Sequence, residues 1–278
     1  MAMKSDPLNL AQNSIASSGA QGAVVDILGL QVQCHTREGL NEAIGQIIRR
    51  GGHAVVPNIN VHFANLSWRL PWLRDLFNSA PVNFCDGAGI QLAARLLGCR
   101  ITERITYGDW FASLAAFCQR EHFRLFFLGG RPGIAAEAAR QVACRYPELI
   151  VAGTHHGYFD RDRNSAENAD VVAAINRCRP DILLVALGMP LQEKWLTQNW
   201  DHIDAGVALT GGAILDYLSG RMRRPPAWMC RCGWEWLGRL LIEPRRLWKR
   251  YLIGNPLFLA RVLRQRLLQG RSSPQALS

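Results

Sequence analysis

Short apolar runs alternate along this chain with stretches whose apolar residues recur every three or four positions. Ile182 to Leu187 is the plainest run. It follows Pro180, has no polar interruption, and stops at Gly188 and Pro190. Its length and uniform apolarity predict a strand buried on both faces of a parallel sheet. Phe123 to Leu128 also reads as a buried strand, with Arg124 near its start. Ala54 to Val56, Val82 to Cys85, Leu149 to Gly153 and Val207 to Leu209 are shorter runs of that kind, and Val24 to Val32 reads as a first strand or a short hairpin. Between them, Thr36 is placed to cap a helix reaching Arg50, with Leu40, Ile44, Ile47 and Ile48 on one face and Gly51-Gly52 after it. Further helices are expected over Trp68 to Asn78, up to Leu97, over Trp110 to Arg120, Ile134 to Arg145 and Ser165 to Cys178, and after Pro190. Repeated alternation of strand and helix predicts an α/β fold: a Rossmann-like parallel sheet with helices on both faces.

The pattern changes after Arg224-Pro225-Pro226, where strands stop and Trp228 to Leu268 reads as basic, aromatic helices. The expected organisation is a leader over 1–22, an α/β catalytic domain over 23–220 and a helical appendage over 221–278. Charge follows the same division. Residues 221–278 hold thirteen Arg and Lys against Glu235 and Glu243, a net of +11, while the rest of the chain stands at −1. Arg221, Arg223, Arg224, Arg239, Arg245, Arg246, Lys249 and Arg250 are interleaved with Trp228, Trp234, Trp236, Trp248 and Tyr251. Such a segment points to an anionic partner: phosphate, nucleic acid or acidic lipid. It reads either as an interfacial membrane helix or as a solvated basic face over a Trp-filled core. No apolar run is long enough to span a bilayer. Hydrophobic content of 49% with 19% charged residues is that of a globular protein. The polar leader lacks the apolar core of a secretory signal, so a cytoplasmic protein with reduced thiols is expected. The eight cysteines are scattered without zinc-site spacing.

Candidate chemistry gathers at the strand ends, where open α/β sheets bind ligands. Asn58 and Asn60 lie at one end, Asp86 at a second, Gln192 at a third, and Asp216 follows the last. Glycines around Asp86 admit a substrate closely, and a carboxylate there can act as a general base or simply cap the next helix. Gly129 and Gly130 open the loop Gly129-Gly130-Arg131-Pro132-Gly133, which suits an anion at a helix N-terminus or serves as a tight turn. It is neither a dinucleotide fingerprint nor a Walker A loop. Asp160-Arg161-Asp162 has the spacing of a metal-diphosphate motif, but its surroundings predict a solvated turn. His155-His156 lacks further ligands. No metal and no cofactor are expected.

Several motifs in one order resemble the WecG/TagA/CpsF glycosyltransferases, from about Val24 to about Leu263. They are Asn58-Ile-Asn60, Asp86-Gly-Ala-Gly89, Arg104-Ile-Thr-Tyr-Gly-Asp109, Phe127-Leu-Gly-Gly130, His155-His-Gly-Tyr-Phe159 and Gly188-Met-Pro-Leu-Gln-Glu-Lys-Trp195. Asp216-Tyr-Leu-Ser-Gly220, Trp234-Glu-Trp236 and Glu243-Pro-Arg-Arg-Leu-Trp-Lys-Arg-Tyr251 complete the series. The resemblance implies transfer of a sugar, with inversion, from a UDP-sugar to a polyprenyl-diphosphate-linked sugar in surface-polysaccharide or wall-polymer synthesis. It also implies a peripheral position on the inner face of the cell membrane, no nucleic-acid partner, and room for a homo-oligomer. By the same resemblance Asp86 is the base, and Gln192, Asn60 and Arg104 line its pocket. Asp216 serves the nucleoside end of the donor, and Arg239, Arg246 and Lys249 supply cations to the diphosphate. Two positions depart from the family pattern: Asn58 where Thr is common, and Lys249 where Arg is common, with Arg250 beside it as a substitute. A non-catalytic nucleotide- or nucleic-acid-binding module, or a structural membrane partner, would use the same basic tail without needing Asp86 or Gln192.

Overall fold

The computed structural model describes residues 23–271, so the expected leader over 1–22 lies outside the described residues. The chain opens with a hairpin of β1 (Val24–Ile27) and β2 (Leu30–Gln33). Leu28 and Gly29 at its turn both take positive φ, which suits the twist of a two-residue hairpin. α1 (Arg37–Arg49) follows, and the Thr36 hydroxyl accepts from the Gly39 N–H at its start. Pro57 separates β3 (Ala54–Val56) from β4 (Asn58–Ile59). An unexpected helix, α2 (Val61–Ser67), comes next, and the helix expected over Trp68 to Asn78 follows as α3 (Pro71–Ser79). Asn60 caps the first through the Phe63 N–H, and Pro71 opens the second, where a missing N–H costs nothing.

Next come β5 (Phe84–Cys85), α4 (Ala88–Leu96), α5 (Tyr107–Glu121), β6 (Arg124–Gly129), α6 (Ile134–Arg145) and β7 (Ile150–His155). α7 (Ala166–Cys178), β8 (Ile182–Ala186), α8 (Leu191–Asn199), β9 (Val207–Thr210) and α9 (Ile214–Leu218) complete the α/β region. Five strands form a parallel sheet in the order β3-β9-β8-β6-β7. All five residues of β8 are buried, as its apolar run predicts. The Val82 to Cys85 run does not join that sheet: β5 pairs only with β4, in parallel, beyond the break at Pro57.

After Gly220 the described residues are helical: α10 (Ala227–Arg231), α11 (Glu235–Ile242), α12 (Pro244–Trp248), a π-helical turn Lys249–Ile253 and α13 (Gly254–Arg271). These helices return to the sheet region. Phe258 and Val262 of α13 are buried in one apolar cluster with Ile27 and Leu30 of the hairpin, Ile59, Phe63, Phe77 and Ile90. Each such burial contributes about 1.5–3 kcal/mol. Directed bonds fix the register: Asn65 Nδ2 to the Gly254 carbonyl at 2.7 Å, Arg261 Nη1 to Asn65 Oδ1 at 2.8 Å, and the Leu28 N–H to Gln265 Oε1 at 2.9 Å. Arg224 closes the near end on Asp109 at 2.9 Å.

The sheet leaves no room at the end of β6. Gly129 has φ +143°, and a Cβ there would lie 2.3 Å from the Ala186 carbonyl oxygen on β8. Gly129→Ala is therefore expected to cost at least about 3 kcal/mol, since both backbone strain and a backbone clash oppose it. Chemical denaturation of the purified variant measures this, and an unchanged midpoint would contradict it.

Candidate active site

The strand ends, the loop before α5 and the returning helices enclose a cleft of about 1580 Å³. Asn58, Asn60, Asp86 and Gly87 form its floor, Gly130, Arg131 and Gly188 one side, and Asp216 with Arg221 another. Glu235, Arg239, Arg246 and Arg250 cover it from the tail.

Asp86 follows β5, and its N–H bonds to the Ile59 carbonyl at 2.8 Å, which holds it beside β4. It does not cap α4: Gly87 is the capping residue, with φ +124° and no side-chain bond. Instead Asp86 Oδ2 accepts from Asn58 Nδ2 at 2.8 Å. Burial pushes the Asp86 carboxyl up to about 7, with Glu235 adding to the rise. Arg239, Arg250 and the Asn58 bond act in the opposite direction. A half-buried carboxyl titrating near neutrality can accept a proton from a bound hydroxyl.

The cations face it from above. Arg239 Nε and Arg250 Nε are both buried without an acceptor among the described residues, an arrangement that an anionic ligand's oxygens would complete. Burial holds the Arg250 guanidinium below its ordinary value. Arg239 lies over the Tyr217 ring at 6.0 Å. Arg246 reaches the cleft but also donates to Glu243 at 2.6 Å. Lys249 does not line the cleft; it is exposed, 5.5 Å from the Trp248 ring. Adjacent helical residues point about 100° apart, so in this turn Arg250 faces inward and Lys249 outward.

Other expected residues divide in the same way. Asn60 lines the cleft, with Oδ1 taken by the Phe63 N–H and Nδ2 reaching Met189 Sδ at 3.8 Å. Asp216 lines it too; burial raises its carboxyl while Arg221, Arg246 and Arg131 act to lower it and Glu243 to raise it. Arg104 borders the cleft but spends one Nη2 bond on the Cys230 carbonyl at 2.7 Å, tying α10 to the sheet region. Gly130 lines the cleft, whereas Gly129 lies behind it in β6.

Gln192 departs from expectation. It is fully buried and does not line the cleft. Its Oε1 accepts from the Gly188 N–H at 3.2 Å and the Gly212 N–H at 3.1 Å, and its Nε2 donates to Glu193 Oε1 at 2.9 Å. The amide thus clamps the loops after β8 and β9 together behind the wall. Asp160-Arg161-Asp162 is a turn, with Asp160 Oδ1 accepting the Asp162 N–H at 3.0 Å and Asp162 Oδ1 the Asn164 N–H at 2.9 Å. His155 packs edge-on against Phe159. Among the described residues no three His, Cys, Asp or Glu side chains group as metal ligands.

Sequence reasoning gives no role to His62 or Tyr107 and none to Glu193 beyond its place in the polar cluster after β8. His62 lines the cleft, and burial followed by Arg250 lowers it to about 4. Glu193 is wholly buried with Oε2 unpartnered, and burial pushes its carboxyl up to about 7. The Tyr107 hydroxyl is likewise buried without a partner. Both sit inside motifs already singled out, yet nothing in their spacing distinguishes an inward side chain from a solvated one.

The profile described as "Glycosyl transferase WecG/TagA/CpsF family" matches residues 25–272. A relative from Bacillus subtilis (strain 168) is named N-acetylglucosaminyldiphosphoundecaprenol N-acetyl-beta-D-mannosaminyltransferase. It is 30% identical over 213 residues, covering 76% of this chain and 80% of the relative. A Bacillus spizizenii relative of the same name is 31% identical over 215 residues, covering 77% and 80%. One from Staphylococcus aureus (strain NCTC 8325 / PS 47), also so named, is 26% identical over 242 residues, covering 86% and 92%.

Glu193 gives a stability test. Its folded value lies above the ordinary carboxylate value of 4.5, so the native state resists losing the proton that the unfolded chain gives up readily. Native stability is therefore lost as pH rises from about 4.5 to about 7. Glu193→Gln, which carries no proton to lose, should gain in melting temperature relative to the parent across that window. A constant difference between the two from pH 5 to pH 8 would count against a buried, proton-holding Glu193.

Proposed function

The chain belongs to the WecG/TagA/CpsF glycosyl transferase family, and on that premise we propose that it moves a sugar from a UDP-sugar to a polyprenyl-diphosphate-linked saccharide with inversion. The relatives' names supply the nearest substrate pair: an N-acetylmannosaminyl group and N-acetylglucosaminyldiphosphoundecaprenol. The observation that carries the reading is Asp86 on the cleft floor beneath Arg239, Arg246 and Arg250.

Asp86 takes the proton of the attacking acceptor hydroxyl. As the bond to the leaving diphosphate breaks, negative charge grows on its oxygens, and the desolvated guanidinium groups of Arg239 and Arg250, with the more exposed Arg246, stabilise it. This is the service a divalent ion would otherwise give, and the reading is metal-independent. Asp216, which lines the cleft within electrostatic reach of Arg131, serves the nucleoside end of the donor. Gly130 and Arg131 offer a backbone and cationic approach to its phosphates. Base on one side and leaving group on the other make a single displacement with inversion.

The same tail supports attachment to a membrane surface. No helix among the described residues is long and apolar enough to cross a bilayer. Trp228, Trp234, Leu241, Trp248, Leu252, Ile253 and Leu267 are nevertheless exposed on it, alongside the exposed cations Arg245, Lys249 and Arg264. Leu252 and Leu259 also line the cleft mouth, so a prenyl chain would leave the site along apolar side chains.

Asp86→Asn and Arg246→Ala should keep the fold and lose most turnover, by about a hundredfold or more for Asp86→Asn. Arg250→Ala should lose far more than Lys249→Ala. The parent rate should rise with pH through about 7, where Asp86 gives up its proton. The assay uses UDP-N-acetylmannosamine with a short-chain lipid-diphosphate N-acetylglucosamine acceptor. Full turnover by Asp86→Asn defeats the assignment. In flotation assays the protein should bind vesicles containing anionic phospholipid and should weaken when Trp248 and Leu252 are both changed to Ser. Tighter binding to duplex DNA than to such vesicles, at equal salt, would instead favour a nucleic-acid module.

A further inference from the structure

Behind Asp86 stands a residue that never reaches the cleft. Thr210 is the last residue of β9 and is fully buried. Its hydroxyl oxygen accepts the Asn58 N–H at 3.2 Å, and its hydroxyl proton goes to Asn58 Oδ1 at 3.0 Å. Asn58 is itself buried, and its remaining amide group, Nδ2, donates to Asp86 Oδ2 at 2.8 Å. Both neighbours favour this orientation. Were the amide reversed, its oxygen would oppose the ionised Asp86 carboxylate and the bond from the Thr210 hydroxyl to Oδ1 would be lost. The Thr210 hydroxyl on the central sheet and the carboxylate thus hold the Asn58 amide between them with Nδ2 toward Asp86.

The consequence reaches the carboxylate. Oδ2 is committed to Asn58, while Oδ1 has no donor among the described residues, and Asp86 lines the cleft. We propose that Thr210 is a positioning residue for the reaction: by fixing the Asn58 amide it locks the Asp86 carboxylate so that Oδ1 is the oxygen that takes the acceptor proton. The inference rests on Asp86 being the base. In the step, the acceptor O–H proton passes to Oδ1 and the acceptor oxygen bonds to the anomeric carbon. The bond from that carbon to the diphosphate oxygen breaks, and its electron pair leaves with UDP. Asp86 then releases the proton to solvent. Throughout, the Asn58 donor favours the ionised carboxyl over the protonated one.

Other charged and titratable groups also act on Asp86 or sense its charge. Glu235 and Arg239 come from α11, Arg250 from the π-helical turn, Tyr107 from α5 and Cys85 from β5. Thr210→Val leaves all of them in place and removes only the hydroxyl, in a side chain of the same shape.

The first measurement needs no substrate. In protein labelled at aspartate Cγ, the Asp86 resonance is assigned by its disappearance in Asp86→Asn and followed by carbon NMR against pH. Thr210→Val should move its midpoint up by about one pH unit, and Thr210→Ser, which keeps the hydroxyl, should restore it. With the substrate pair used above, the acid limb of kcat should move by the same amount. At pH 7 kcat should fall about fivefold while the donor KM stays within about twofold. An unmoved Asp86 midpoint in Thr210→Val overturns the proposal, as does an equal change in Thr210→Ser. If Thr210→Val fails to fold, Asn58→Asp replaces it. That variant sets a second carboxylate against Asp86 and must raise the midpoint further, or the Asn58 link has no hold on the base. Retained turnover in Asp86→Asn would overturn the base assignment and with it the positioning role of Thr210 in the reaction, whereas the NMR midpoint tests the Thr210–Asn58–Asp86 link by itself.

Discussion

Taking a carboxylate out of water raises its hold on a proton, and taking a guanidinium out of water weakens its hold on charge. This protein sets those two penalties against each other across one cleft. Burial pushes Asp86 up to about 7, and Arg239 and Arg250 pull it back. Burial depresses Arg250, and Asp86 is among the charges that oppose the depression. Neither side alone would be a sound use of buried charge. Together they leave a base near neutrality and two guanidinium groups whose Nε donors have no acceptor among the described residues. Much of the remaining structure consists of devices that keep floor and cover at this separation.

Those devices are mostly short polar contacts at the joints. Asp109 accepts from Arg224 and from the Thr106 hydroxyl, so the loop before α5 is fastened to the start of the tail. Arg104 adds the Cys230 carbonyl. The Arg104-Ile-Thr-Tyr-Gly-Asp109 motif thus works as a fastening as much as a lining. Gln192 does the equivalent inside the sheet region, with one amide joining the loops after β8 and β9. Fully buried amides of this kind are costly when unpaired and rigid when paired. That is why a polar residue at a strand end need not touch a ligand to matter.

How much of this could be read from residues alone varied with the physics behind each feature. β6 and β8 were plain because burial on both faces leaves apolar runs, unbroken in β8 and broken in β6 only by Arg124 at its exposed start. The identity of Asp86 as a cleft residue was also legible, since glycines beside a strand end announce close approach. The short helix α2 was not, because it spans only seven residues and its one start signal, the Asn60 cap, lies in a stretch that also reads as a polar strand end. Gln192 and Lys249 show a second kind of limit. A polar residue's direction depends on what else competes for its bonds and on helical phase, and a π-helical turn shifts that phase where Lys249 and Arg250 compete. The links from Thr210 to Asn58 and from Glu193 to Gln192 are tertiary or wholly interior, and no local pattern encodes them.

The shared burial of Phe258 and Val262 with Ile59, Phe63 and Ile90 makes the cover and the floor one cooperative unit. α2 and α4, which follow directly on Asn60 and Asp86, both pack against α13. Shortening the protein from its C-terminal end would uncover that seam and loosen the strand ends themselves. The last helix is thus part of the scaffold that gives the site its shape, and a shortened chain that loses turnover would not by itself distinguish a missing cation from a slackened base.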